Sequence, residues 1–253
     1  MRKKIKTLLF VFIALISLTG CSKSLTDSNK KIVQNPETGQ SLTKNILCQP
    51  ENEKVIGLYN ENGVDISKLP KCNDFKVTSG GYEGIWTTIF VKPLAWIIVL
   101  MGKLVKNYGL AIIIITLAIR LILYPLTKKT AMQSELMKKA QPEMKKLENK
   151  YKNKQSQEEM MKKSQEMMMI YKKYKINPLS GCIFSLIQIP LFFAFYEAMN
   201  RMPAIFEENL LGFQLGTSPL TAITNGKIYY IIFVILVIAA TYFSFKLNKT
   251  ASL

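Results

Sequence analysis

Residues 107–126 read NYGLAIIIITLAIRLILYPL, an apolar run broken by a single charge, Arg120. At about 1.5 Å per helical residue this run is long enough to cross a hydrocarbon core of roughly 30 Å. Two further stretches, Pro178–Met199 and Ile228–Phe245, have the same character. The stretch Ile85–Val105 differs, because Lys92, Pro93 and Lys103 leave only Pro93–Met101 uninterrupted. Within it Trp86, Ile89, Phe90, Ile97, Met101 and Leu104 recur at helical spacing, which predicts a helix lying along the membrane surface. The pattern predicts an all-α membrane protein.

Charge orients these segments. The chain carries 34 Lys+Arg against 17 Asp+Glu, net +17, and the excess is concentrated in residues 127–176, with 14 lysines against 6 glutamates. Loops rich in Lys and Arg stay in the cytoplasm, so this segment belongs inside. Residues 201–226 hold only Arg201, Glu207 and Glu208, net −1, and read as exterior. A fourth span at 85–105 would force the basic segment outside if the N-terminus is exterior, so parity also favours a surface helix there.

The N-terminus supplies that reference. Arg2, Lys3, Lys4 and Lys6 precede the short apolar run Leu8–Ile16, which ends in Leu18-Thr19-Gly20-Cys21. This resembles a bacterial lipoprotein signal, in which the Cys21 thiol receives a diacylglycerol on the outer face. The expected organisation is a signal peptide at 1–20, a lipid-anchored exterior tether or small domain at 21–84 and an interfacial helix at 85–106. Spans at 107–126, 177–200 and 227–247 follow, joined by a cytoplasmic hairpin at 127–176 and an exterior loop at 201–226, with a cytoplasmic tail at 248–253. In the exterior segment Cys48 and Cys72 either pair, as an oxidising compartment permits, or both stay free. Cys182, in an apolar run, reads as a small packing residue.

Several chemistries are excluded. The chain has no histidine, which removes Ser-His-Asp and Cys-His sites and most zinc sites, and no Gly-x-x-x-x-Gly-Lys-Ser/Thr loop for nucleotide. No catalytic residue, metal or cofactor is expected.

In the basic segment Glu135→Lys139, Glu148→Lys152, Glu158→Lys162 and Glu159→Lys163 have the acid-then-base spacing that supports helices. Two helices are predicted, with a break around Asn153–Gln157 and a bend at Pro142. Met132, Leu136, Ala140, Met144, Leu147 and Tyr151 stripe the first, and Met160, Ser164, Met167, Tyr171 and Tyr174 the second, as an antiparallel hairpin requires. Eight of the 12 methionines lie here, suited either to plain packing or to a surface that accepts varied partners. Lysines without arginine or an aromatic platform give no basis for sequence-specific nucleic acid binding; anionic lipid headgroups or a ribosome suit them better.

Arg120 lies about 18 Å along its helix from Tyr108, where arginine costs roughly 2.5–3.5 kcal/mol. It either snorkels to the interface beside Lys128 or faces a wet cavity. Thr116 and Tyr124, four residues to either side, put polar groups on the same face. Gln188, within Ser185-Leu186-Ile187-Gln188-Ile189-Pro190, either bonds two helices together or lines the same cavity.

These residues resemble a known family. Asn107-Tyr108-Gly109 leading to Arg120-Leu121-Ile122-Leu123-Tyr124-Pro125-Leu126-Thr127, the lysine-rich hairpin with Gln141-Pro142, Asn177-Pro178-Leu179-Ser180-Gly181-Cys182 and Leu186-Ile187-Gln188-Ile189-Pro190 are similar to the YidC/Oxa/Alb membrane protein insertases. The resemblance runs from about Trp86 to Leu247 and implies a helical bundle around a hydrophilic groove, with a cytoplasmic helical hairpin. It implies that Arg120 is the groove arginine and that Gln188 lines the groove with it. It also implies nascent membrane proteins and membrane lipids as partners, with the Sec translocon and the ribosome beside them. The lipoprotein signal looks like the Gram-positive form. The family core has five spans, of which three are recognised here, so either the chain is a fragment or truncated product or another subunit completes the groove; the alternative function is a truncated lipid-anchored scaffold or subunit without independent insertase activity.

Overall fold

The computed structural model describes residues 22–153, 156–177 and 179–250, without the side chains of 179–187 and 247–250. The signal peptide, Cys21 and the Cys182 side chain lie outside the described residues. The elements are helical apart from one two-stranded ribbon. Among the described residues three helices are long and apolar enough to cross a membrane: Thr87–Val105, Tyr108–Lys150 and Ile228–Lys246. The chain divides into two compact units, Met1–Ile119 with Ile189–Val234, and Arg120–Gln188 with Ile235–Leu253.

In the first unit, residues 22–84 are a folded body rather than an extended tether. Antiparallel bridges Ser24↔Thr43, Thr26↔Ile32 and Gln34↔Ser41 make a small ribbon structure, and α1 (Glu53–Glu61) packs on it. The Asn52 side chain accepts from the Lys54 and Val55 amides, so an N-cap fixes where α1 begins. Leu25, Leu42, Ile46, Val55, Tyr59 and Ile66 bury together as one core. Cys48 and Cys72 form a disulfide, which resolves the two alternatives left by the sequence.

A second core crosses from this body to the helices. Leu47, Cys48, Cys72 and Phe75 of the body pack with Trp86, Val91, Ala95, Ile98 and Val99, with Ile115, and with Ala194, Ala198, Met202 and Ile205. The segment 85–105 opens with one wide turn, Thr87–Val91, and continues as α2 (Lys92–Val105). Its buried face is Lys92, Ala95, Ile98, Val99 and Gly102, while Trp96, Ile97, Leu100 and Leu104 stay exposed. An apolar exposed face beside a packed face suits a helix lying on a membrane, and the helix is also long enough to span one. Lys92, buried, donates to the Ser79 and Gly81 carbonyls at 2.7 and 2.9 Å.

Lys106 adopts φ 54°, left-handed, and ends α2. The chain then turns into α3 (Tyr108–Lys150), and a Cβ on Gly102 would meet the Tyr108 ring at 2.5 Å, so only glycine lets the two helices meet so closely. Asn107 caps α3 by accepting from the Leu110 amide at 2.9 Å, and its Nδ2 donates to the Asn209 carbonyl at 2.8 Å. A Cβ on Gly109 would lie 3.0 Å from Leu210 and Leu215, which makes glycine the residue that admits the ribbon β1 (Asn209–Leu210) and β2 (Phe213–Gln214) against α3. The Asn107-Tyr108-Gly109 motif is thus a docking point for a loop 100 residues away.

In the second unit α3 runs on through Pro125 and Pro142 without a break. The expected boundary at 126/127 between span and hairpin is absent as a secondary-structure break; one 43-residue helix serves both. Each proline removes one ladder bond but stays within the helix. A turn at 151–153 follows, then α4 (Gln157–Lys173). Ser156 accepts from the Glu159 amide at 3.3 Å while the Glu159 carboxylate meets the Ser156 hydroxyl at 3.1 Å, a side-chain pairing that sets the helix start.

Later elements are α5 (Leu179–Asn200), α6 (Pro203–Glu207), the β1–β2 ribbon, α7 (Pro219–Thr224) and α8 (Ile231–Thr250). Residues 231–238 and Tyr242, Phe243 and Phe245 of α8 are largely exposed apolar surface, as a lipid-facing helix requires, since lipid rather than protein solvates them.

Candidate functional site

Thr116, Arg120 and Tyr124 fall four residues apart on α3 and are all exposed, so they form one polar stripe on an apolar helix whose neighbours Leu117, Leu121 and Ile122 are exposed as well. Among the described residues, no hydrogen bond or ion pair engages the Arg120 guanidinium. Five N–H donors therefore stand available at this point of the helix.

Gln188 lies on α5, two residues before Pro190. It is half-buried, and its Oε1 is shielded from solvent with no hydrogen-bond partner among the described residues. An unpaired buried amide oxygen costs on the order of 1–3 kcal/mol. Pro190 also removes the bond that the Leu186 carbonyl would receive in an intact helix, adding a second acceptor one turn earlier. No hydrogen bond joins Gln188 to Arg120 among the described residues; both belong to the same compact unit.

The hairpin in that unit is held mainly across its arms. Lys150 pairs with Glu166 at 2.7 Å, and Tyr151 donates its hydroxyl to Glu166 at 2.8 Å. Lys173 pairs with Glu143 at 2.5 Å, and Tyr174 donates to Glu143 at 2.8 Å. The two clusters share one antiparallel register. The Lys173 ammonium first, and the Tyr174 hydroxyl second, hold the Glu143 carboxyl below the usual carboxylate range. Hydrogen bonding to Glu166 raises Lys150 above the ordinary lysine value. Of the expected local pairs, Glu158–Lys162 forms at 2.8 Å.

Ala140, Leu147 and Tyr151 of the expected first stripe are buried, whereas Met132 at its end is exposed. Of the expected α4 stripe, Met167, Tyr171 and Tyr174 are half-buried while Met160 and Ser164 are exposed, and Lys163, Glu166 and Ile170 join the half-buried face. Salt bridges with long side chains set this face as much as apolar residues do, which is why apolar periodicity identified only part of it. Met160, Lys163, Ser164, Met167, Met168 and Tyr171 line an open depression of about 260 Å³.

The sequence reading missed a polar cluster in the first unit. Arg201, with a wholly buried side chain, bonds Glu197 at 3.1 Å and pairs with Glu83; Trp86 Nε1 donates to Glu197 at 2.9 Å. The signal was present: Glu197 and Arg201 stand four residues apart at the end of an apolar run, a spacing that pairs opposite charges on a helix.

Residues 100–252 match the family model described as 60Kd inner membrane protein. The membrane protein insertase YidC of Oceanobacillus iheyensis is 43% identical over 136 residues, 53% of this chain and 54% of that protein. The membrane protein insertase YidC 2 of Bacillus anthracis is 43% identical over 134 residues, 53% of this chain and 52% of the relative. The membrane protein insertase MisCA of Bacillus subtilis is 42% identical over 132 residues, 52% and 50%. The chain spans about half the length of the curated relatives it matches. The matched region takes in the apolar helices from α3 onward, the polar stripe and the hairpin, and the chain belongs to the 60Kd inner membrane protein family.

Proposed function

We propose that this chain serves as a membrane protein insertase and chaperone, without catalytic chemistry, metal or cofactor. The observation that carries the reading is Arg120: a guanidinium with no bonded partner among the described residues, on an apolar helix of a chain whose relatives are named insertases. Arg120 and Gln188, with Thr116 and Tyr124 continuing the helix face, line a wet groove. Water held there thins the apolar barrier locally, and Arg120 attracts acidic residues of a short polar segment on the incoming chain. The apolar helix of the substrate then leaves sideways into lipid. Its burial in lipid supplies about 25 cal/mol per Å², which offsets the transient cost of moving charge past the arginine.

The topology that goes with this function has Cys21 acylated on the outer face, the 22–84 body outside and residues 85–106 at the interface. Helical segments at 107–126, 177–200 and 227–247 cross the membrane, and the basic hairpin lies in the cytoplasm. There its lysines meet anionic lipid or a ribosome, and the Sec translocon works beside it.

The test is reconstitution of the chain in vesicles with a substrate that carries an acidic translocated segment. Arg120→Ala lowers insertion of that substrate roughly tenfold, equivalent to about 1.4 kcal/mol, and Arg120→Lys recovers part of it. Equal insertion by wild type and Arg120→Ala refutes the electrostatic role. A substrate with a neutral segment is less affected, since the groove stays wet without its charge.

A further inference from the structure

The Arg201 cluster joins segments that are far apart in the chain. Its Nε donates to the Asn45 carbonyl at 2.5 Å, Nη1 to Glu197 Oε1 at 3.1 Å, and Nη2 pairs with the Glu83 carboxylate. The Arg201 carbonyl accepts from the Leu47 amide at 2.8 Å. Cys48, next to Leu47, is bonded to Cys72, and the following residue, Asn73, accepts from the Tyr108 hydroxyl at 3.2 Å. A continuous path of bonds thus runs from the Asn200 end of α5, through the folded body, to the Tyr108 end of α3.

We propose that the 22–84 body is a brace: with Arg201 as positioning residue and Cys48–Cys72 as cross-tie, it fixes the Tyr108 end of α3 relative to the Asn200 end of α5. Stability alone does not account for the cluster, because apolar side chains of similar volume commonly serve as well as a buried ion pair. What apolar packing lacks is direction. A planar guanidinium with five fixed donors accepts one arrangement of the Asn45 carbonyl, Glu83 and Glu197, and so sets both spacing and register. The disulfide carries that constraint across the body without a flexible link. Both sulfurs are buried, Cys48 with Sγ 3.8 Å from Met202 Sδ, so the tie is permanent rather than a redox switch.

This inference goes beyond insertion and is read without substrate. Spin labels at Leu110→Cys and Tyr196→Cys, both exposed positions, are measured in the full chain with Cys182→Ala, in phosphatidylglycerol/phosphatidylethanolamine vesicles. One narrow distance is expected when the cluster is intact. Arg201→Met alone leaves two carboxylates unpaired and can unfold the body, so Arg201→Met/Glu83→Gln/Glu197→Gln is the decisive variant: the body stays folded while the distance distribution at least doubles in width. Cys48→Ala/Cys72→Ala broadens it as well, and Arg201→Lys lies between. An unchanged narrow distance in both the triple and the disulfide-free variants overturns the brace. Insertion assayed on the same samples is a separate readout: a wild-type chain that inserts nothing counts against the insertase reading, while the distances still decide the brace.

Discussion

Removing the Cys48–Cys72 bridge with Cys48→Ala/Cys72→Ala gives the most quantitative test of the folded body. The cysteines are 24 residues apart in sequence, and closing a loop of that length in the unfolded chain corresponds to about 3.4 kcal/mol at 25 °C by chain entropy. That energy is roughly a 300-fold rise in the population of locally opened body, at 1.36 kcal/mol per factor of ten. The amides of Leu47, Gln49 and Asp74, which bond the carbonyls of Arg201, Pro70 and Lys71, exchange only when this segment opens. Hydrogen–deuterium exchange of the full chain in vesicles should therefore accelerate at these three amides by about two orders of magnitude. The α4 amides, in the other unit, should not change. Acceleration below about tenfold at all three would refute the argument that the disulfide, rather than the surrounding apolar core, holds the body closed.

Gly102→Ala puts a methyl 2.5 Å from the Tyr108 ring, so the α2–α3 turn must open; a thermal midpoint drop corresponding to about 1–3 kcal/mol is expected in a detergent-solubilised melt. Ser156→Ala removes the cap of α4 and should cost about 0.5–2 kcal/mol of helix stability, read as faster exchange at Glu159 and Met160 with α1 unaffected. Glu143 is depressed in the folded hairpin by Lys173 and Tyr174, so its contribution is present above the ordinary carboxylate pKa and is lost as pH falls through the lower folded value. Exchange protection in the hairpin should accordingly weaken at acid pH, and Glu143→Gln should remove that part of the pH dependence.

The elements that periodicity and composition predicted are those governed by local chemistry. The apolar run around Arg120 forms a helix, and two charged helices form the hairpin; the first ends at Lys150 and the second begins at Gln157, so the break opens slightly before the expected Asn153–Gln157 and overlaps it. Ser156-Gln157-Glu158-Glu159 carries its own start signal in the sequence. The continuity of α3 through Pro125 and Pro142 was not legible, because a proline within a helix and a proline at a boundary look alike without the neighbours that hold the chain. The polar stripe Thr116, Arg120 and Tyr124 follows from helical spacing alone, whereas the unpartnered Gln188 oxygen depends on what surrounds it.

By itself, then, the sequence determined that this protein is helical and membrane-embedded, with a basic hairpin and a charge inside an apolar helix. Those properties depend on residues within a few turns of one another. Only the tertiary structure decided that Cys48 pairs with Cys72, that residues 22–84 are a folded body sharing a core with the helices, and that Arg201 is buried among Asn45, Glu83 and Glu197. The physical reason is range: the Glu197 partner is four residues away and legible, but Glu83, 118 residues away, and Asn45, 156 residues away, must converge on the buried arginine as well, and no local pattern encodes that convergence.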